Sequence, residues 1–168
     1  MAVKKNISLI ATVVVILLVA IVGYYFLQLK QGPYQVANFS NLTYKWGTGD
    51  TLLNSYNYKT GDYQYLNAKD SLITTKLKLR SNNIIYIHNK LNELGFWSLP
   101  NVIKNKNGKT DQQTVLRYEV ELSYGTASQK VIYYADYDDE PDIATKAREV
   151  QKLISQTIDE VEGRFSNP

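Results

Sequence analysis

With 168 residues, 44% of them hydrophobic, the chain can build one sizeable core, and its formal charge of +3 is matched by three lysines near the N-terminus, Lys4, Lys5 and Lys30. The remainder carries equal numbers of basic and acidic side chains, which excludes the basic surface that nucleic-acid phosphates require. The absence of cysteine excludes disulfides, thiolate metal sites and cysteine nucleophiles.

The first predicted element is the uncharged run from Ile7 to Leu27. As a helix it would be about 31 Å long, close to the roughly 30 Å hydrocarbon thickness of a bilayer. Tyr24, Tyr25 and Phe26 stand at one end, where amphipathic rings favour an interface. A cleaved signal peptide has a shorter core of about 7 to 15 residues and a small-residue cleavage site, which this run lacks. The reading is a retained signal-anchor, a single-pass transmembrane helix over 7–27. Lys4 and Lys5 before it, against Lys30 after it, place residues 1–6 in the cytoplasm. The expectation is therefore an inner-membrane protein with the lipid bilayer as a partner. Residues 28–40, with Gly32 and Pro33, form a polar tether, and 41–168 an extracytoplasmic, periplasmic domain.

Leu42, Tyr44 and Trp46 alternate with Thr43 and Lys45, the period of a half-buried strand. Tyr56 to Tyr65 reads as a hairpin with Thr60 and Gly61 at its tip, Tyr58 facing Tyr63 and Tyr56 facing Tyr65. A fourth strand over 72–79 puts Ile73, Thr75, Leu77 and Leu79 on one face and Lys76 and Lys78 on the other. Ser81 suits a helix N-cap; Ile84, Ile87, Leu91 and Leu94 recur at helical spacing; Gly95 supplies the left-handed stop. Phe96, Trp97 and Leu99 then form an aromatic plug before Pro100, and 101–113 read as a loop. A second hairpin pairs Leu116 to Tyr124 with Gln129 to Ala135. The last helix opens at Pro141 and carries Ile143, Ala147, Val150, Ile154, Ile158, Val161 and Phe165 on one face. The fold class is α+β: the N-terminal transmembrane helix, then an antiparallel sheet of about six strands in the order β-β-β-β-α-β-β-α, with two helices on one face.

Chemistry-bearing constellations are sparse. His88, the single histidine, lies within the predicted first helix of the domain, without the G-x-S-x-G elbow of a hydrolase, and reads as structural. Gly108-Lys109-Thr110 echoes the end of a phosphate loop, but Ile103 stands where the motif's first glycine belongs. Asp136, Asp138, Asp139 and Glu140 are a calcium candidate by oxygen count; without the spacing of an EF-hand they read instead as solvated carboxylates ahead of a helix N-terminus. Glu119 and Glu121 share a strand face about 7 Å apart, a spacing that suits paired-carboxylate glycoside hydrolysis but also a plain solvated surface. The 14 tyrosines offer an interaction surface at Tyr56, Tyr58, Tyr63 and Tyr65. No catalytic residue, cofactor or metal is expected.

Leu91, Gly95, Phe96, Trp97, Leu99 and Pro100 match the pattern L-x-x-x-G-F-[FW]-x-L-P. With the hairpin and C-terminal helix that follow, about half the chain resembles bacterial envelope domains of unknown function. The resemblance implies the fold and an envelope location, and no catalytic residue. The expected function is a non-enzymatic interaction domain or accessory subunit of an envelope complex, with a protein partner. The alternative is a carbohydrate-binding or hydrolytic envelope protein using the tyrosine hairpin. Self-association through the last helix is a third expectation, from its near-heptad spacing.

Overall fold

The computed structural model describes residues 2–31, 34–106 and 108–166, with side chains described at 9–25, 34–106 and 108–164. The chain divides into two units, Met1–Pro33 and Tyr34–Pro168.

The first unit is one helix, α1 (Ala2–Gln31), whose described side chains are all exposed. The expected transmembrane anchor is overturned, because among the described residues no helix is long and apolar enough to cross a membrane. Lys4, Lys5, Ile7, Leu27 and Lys30, on which the ends and orientation of the span rested, lie outside the described side chains. The single-pass, inner-membrane location falls with the span.

The second unit begins at Tyr34, so most of the expected tether belongs to it; a single 3-10 turn at Val36–Asn38 leads into the sheet. The strands are β1 (Phe39–Gly47), β2 (Asn54–Asn57), β3 (Asp62–Leu66), β4 (Leu72–Lys76), β5 (Val102–Ile103), β6 (Arg117–Tyr124) and β7 (Ala127–Tyr134). The helices are α2 (Ser81–Leu94) and α3 (Pro141–Ser166). Spatial order across the sheet is β4-β3-β2-β1-β6-β7-β5. Six strands form an antiparallel run; the seventh, β5, pairs in parallel with β7 through Val102 with Ile132 and Ile103 with Tyr133. The sheet is thus seven-stranded and mixed, not six-stranded and antiparallel. Two residues carry no readable alternation, and β5 is stitched in by Ile132 N–H donating to the Asn101 carbonyl at 2.8 Å.

One row of side chains crosses the sheet in register: Thr75, Tyr63, Tyr56, Tyr44, Val120 and Val131. This is the face that α2 and α3 cover, as shown by the Gln151 amide donating to the Tyr44 hydroxyl and by the contact of His88 with Tyr124. The apolar stripe of α3 is buried at Ala147, Val150, Ile154, Ile158 and Val161, so its own sheet occupies the face expected to self-associate; Phe165 lies outside the described side chains. α2 begins one residue earlier in its capping than expected: Arg80 is the N-cap, and the Asn83 side chain accepts its N–H at 3.0 Å. Gly95 takes the left-handed conformation (φ 69°) that ends α2, and Phe96 then turns fully into the core.

Candidate interaction surface

The first hairpin differs in register from the sequence expectation. Tyr56 faces Tyr63, and Ser55 faces Gln64, two positions from the predicted pairing. The connection is longer than a two-residue turn because Asn57 shapes it. Its side-chain oxygen accepts Thr60 N–H at 3.1 Å and its carbonyl accepts Gly61 N–H at 2.8 Å, with Gly61 left-handed at φ 71°. All four candidate tyrosines lean toward the helices. Tyr56 and Tyr63 are buried; Tyr58 and Tyr65 are partly buried and pack against the core. Burial pushes the Tyr56 phenol up to about 12, and burial together with the Glu162 carboxylate raises that of Tyr63, whose hydroxyl donates to Glu162 at 3.2 Å. Tyr56 and Tyr63 are therefore core and present no open ring face for a sugar, while Tyr58 and Tyr65 stay partly exposed.

His88 is buried at the centre of a directed chain of hydrogen bonds that the sequence does not announce. The Trp97 indole N–H can only donate, so the Asn92 atom it meets is Oδ1. Asn92 Nδ2 then faces His88 Nε2 at 3.0 Å and donates to it. That leaves the ring proton on Nδ1, which donates to the Tyr124 hydroxyl at 2.8 Å. Burial lowers the histidine pKa and raises the tyrosine's, so both groups stay neutral. Tyr34, stacked on Trp97 with ring centroids 4.2 Å apart, lies over this cluster. The chain closes the base of α2 onto β6, and its order is set by chain segments 36 residues apart.

The opposite sheet face carries Thr43, Lys45, Glu119, Glu121 and Lys130 on its central strands, with Ile132 and the buried Tyr134 beside them on β7, where Tyr134 donates to Gln112 at 3.2 Å and Arg117 to the Asp50 carbonyl at 3.3 Å. Across the central strands Lys45 stands opposite Glu119, and Thr43, Glu121 and Lys130 share one row. Glu119 is held by Lys130 Nζ at 2.8 Å and Arg117 Nη2 at 3.5 Å, with only 17% of its side chain exposed. The two glutamates thus share a sheet face, both partly buried, with Glu119 engaged by two cations. At one margin of the sheet, among the described residues, β4 pairs only with β3, and its second side is a free edge.

The acidic segment before α3 organises a loop. Thr110 donates to Asp136 Oδ1 at 3.2 Å, Lys106 N–H to Asp139 Oδ2 at 2.8 Å, and Asp138 N–H to the Asn105 side-chain oxygen at 2.9 Å. Among the described residues no group of three or more His, Asp or Glu side chains is placed to hold a metal ion, the calcium candidate Asp136, Asp138, Asp139 and Glu140 included. Buried Asn105 is the organiser here, and nothing in its local sequence distinguished it.

No protein-family model matches the sequence, and comparison with curated proteins and with solved structures likewise returned no match.

Proposed function

We propose that the Tyr34–Pro168 unit is a non-enzymatic protein-interaction domain, an accessory subunit that docks onto a partner protein. The observation that carries this reading is the charged central part of the sheet face opposite the helices. Its Lys45, Glu119, Glu121 and Lys130 form an alternating pattern of charge on a seven-stranded base. Glu119 and Lys130 are already paired across strands, so these two side chains lose little further freedom on binding, and alternating charge selects partners and sets register. The buried polar groups support the same reading, since His88, Asn92, Trp97 and Tyr124 are engaged with one another inside the fold.

The test is capture of binding proteins from the source cells by the tagged full chain and by a Lys45→Glu/Glu121→Lys double variant. A defined set of proteins retained by the parent and lost by the variant, at unchanged Tm, is expected. Recovery of nothing beyond a tag-only control, or of the same set by the variant, overturns the reading.

A further inference from the structure

We infer that the free edge of β4 receives an extended acidic segment of a partner protein, which adds an eighth strand to the sheet. This rests on the proposed interaction role and names a second surface for it, distinct from the charged sheet face.

The geometry comes from register. Leu77 N–H donates inward to the Gly61 carbonyl at 2.8 Å, and the Ser71 carbonyl accepts inward from Asn67 N–H at 3.0 Å. In an antiparallel pair the direction alternates residue by residue, so Ser71, Ile73, Thr75 and Leu77 turn their peptide groups toward β3. Leu72, Thr74 and Lys76 therefore turn theirs to the outside. These three residues present unpaired N–H and C=O groups at the spacing of a strand, which only another extended backbone satisfies as a set.

Charge decides which backbone. The side chains of the same alternating positions continue past the strand as Lys76, Lys78 and Arg80, all exposed. Lys76 meets Asp62 at 2.6 Å, while the end of the strand opens into a cleft of about 410 Å³ lined by Tyr58, Lys59, Gly61, Lys76 and Lys78. Lys76 is already paired with Asp62, so the cations that follow the strand, Lys78 and Arg80, are the ones that weigh against pairing with a second copy of the same edge. They attract a strand with carboxylates at alternate positions, so charge complementarity selects an acidic extended segment over self-pairing.

The probe is the fluorescent peptide Glu-Val-Glu-Val-Glu-Val-Glu, titrated into the full chain at low and high salt, with hydrogen exchange read over 72–76. The expected result is saturable binding that weakens with salt, at least tenfold slower exchange at Leu72, Thr74 and Lys76, and at least tenfold weaker binding of the Lys-Val counterpart. Thr74→Pro, which removes an edge N–H, is expected to weaken binding at least tenfold. Because that variant could unfold, the decisive control alters the peptide instead. N-methylation on one of its two edges is expected to abolish binding, and on the other edge to leave it intact. Equal binding of the two charge types, indifference to N-methylation, or unchanged exchange over 72–76 overturns the inference. So does protection of 72–76 without peptide that rises with protein concentration, which would assign the edge to a second copy. If protein capture succeeds while these edge measurements fail, the interaction role stands and the edge assignment alone is lost.

Discussion

Replacing Tyr124 with Phe tests the directed hydrogen-bond chain with the least disturbance, since the ring and its contacts with Phe39, Trp97 and Tyr34 remain. Only the hydroxyl is lost, and it is the acceptor for His88 Nδ1–H at 2.8 Å. His88 cannot move its proton to the other nitrogen, because Asn92 donates there and is itself held by the Trp97 indole. A buried donor is thus left without a partner, which costs about 1–3 kcal/mol. At roughly 3–5 °C per kcal/mol for a unit of this size, Tm falls by roughly 3–15 °C. Urea unfolding followed by tryptophan fluorescence measures this well, because Trp97 belongs to the cluster. The denaturant slope is expected to stay constant. In a double-mutant cycle with His88→Leu, the pair is expected to cost clearly less than the sum of the singles, since the orphaned donor is then absent. A Tyr124→Phe variant within about 0.3 kcal/mol of the parent, or strict additivity in the cycle, would refute the assigned proton direction.

Three further outcomes follow from particular residues. Burial lowers the His88 pKa, so as pH falls through about 6.5 the unfolded chain takes up a proton that the folded one resists; stability present above that pH is lost toward acid, and a His88→Leu variant is expected to show a flatter Tm profile between about pH 7.5 and 5. Gly61→Ala is expected to destabilise by about 1–2 kcal/mol in urea unfolding, because the position is left-handed and a Cβ would meet the Leu77 carbonyl at 3.3 Å. Burial, and then neighbouring Glu162, raise the pKa of the Asp159 carboxyl, which means its charged form is less favourable in the fold than in the unfolded chain; Asp159→Asn is expected to hold or raise Tm at pH 7, and a clear loss would contradict that environment.

Local pattern carried much of the domain. Strict alternation from Leu116 to Tyr124 marks β6 because one face of that strand is buried, and the spacing of Ala147, Val150, Ile154 and Ile158 marks α3 because one stripe of the helix is. Gly95 ends α2 and Phe96 enters the core as read, since left-handed backbone and aromatic burial are local preferences. The hairpin register was not legible, because it depends on Asn57 bonding its own turn and so lengthening the connection. Length and hydropathy make the apolar run of α1 a bilayer span, an expectation that the described helix does not meet.

What the sequence determines by itself is therefore where the longer strands and both helices of the domain lie, since periodicity, caps and glycine positions act within a few residues; it passes over the two-residue β5 and carries β4 on to residue 79, where the strand ends at Lys76. Only the tertiary structure decides that β5 joins in parallel, that Tyr56 and Tyr63 are core, and that His88 is locked between Asn92 and Tyr124. It alone also leaves β4 with a free edge. These depend on which segments distant in the chain meet across a sheet, and the free energy of those meetings is long-range packing and hydrogen bonding that no local pattern encodes.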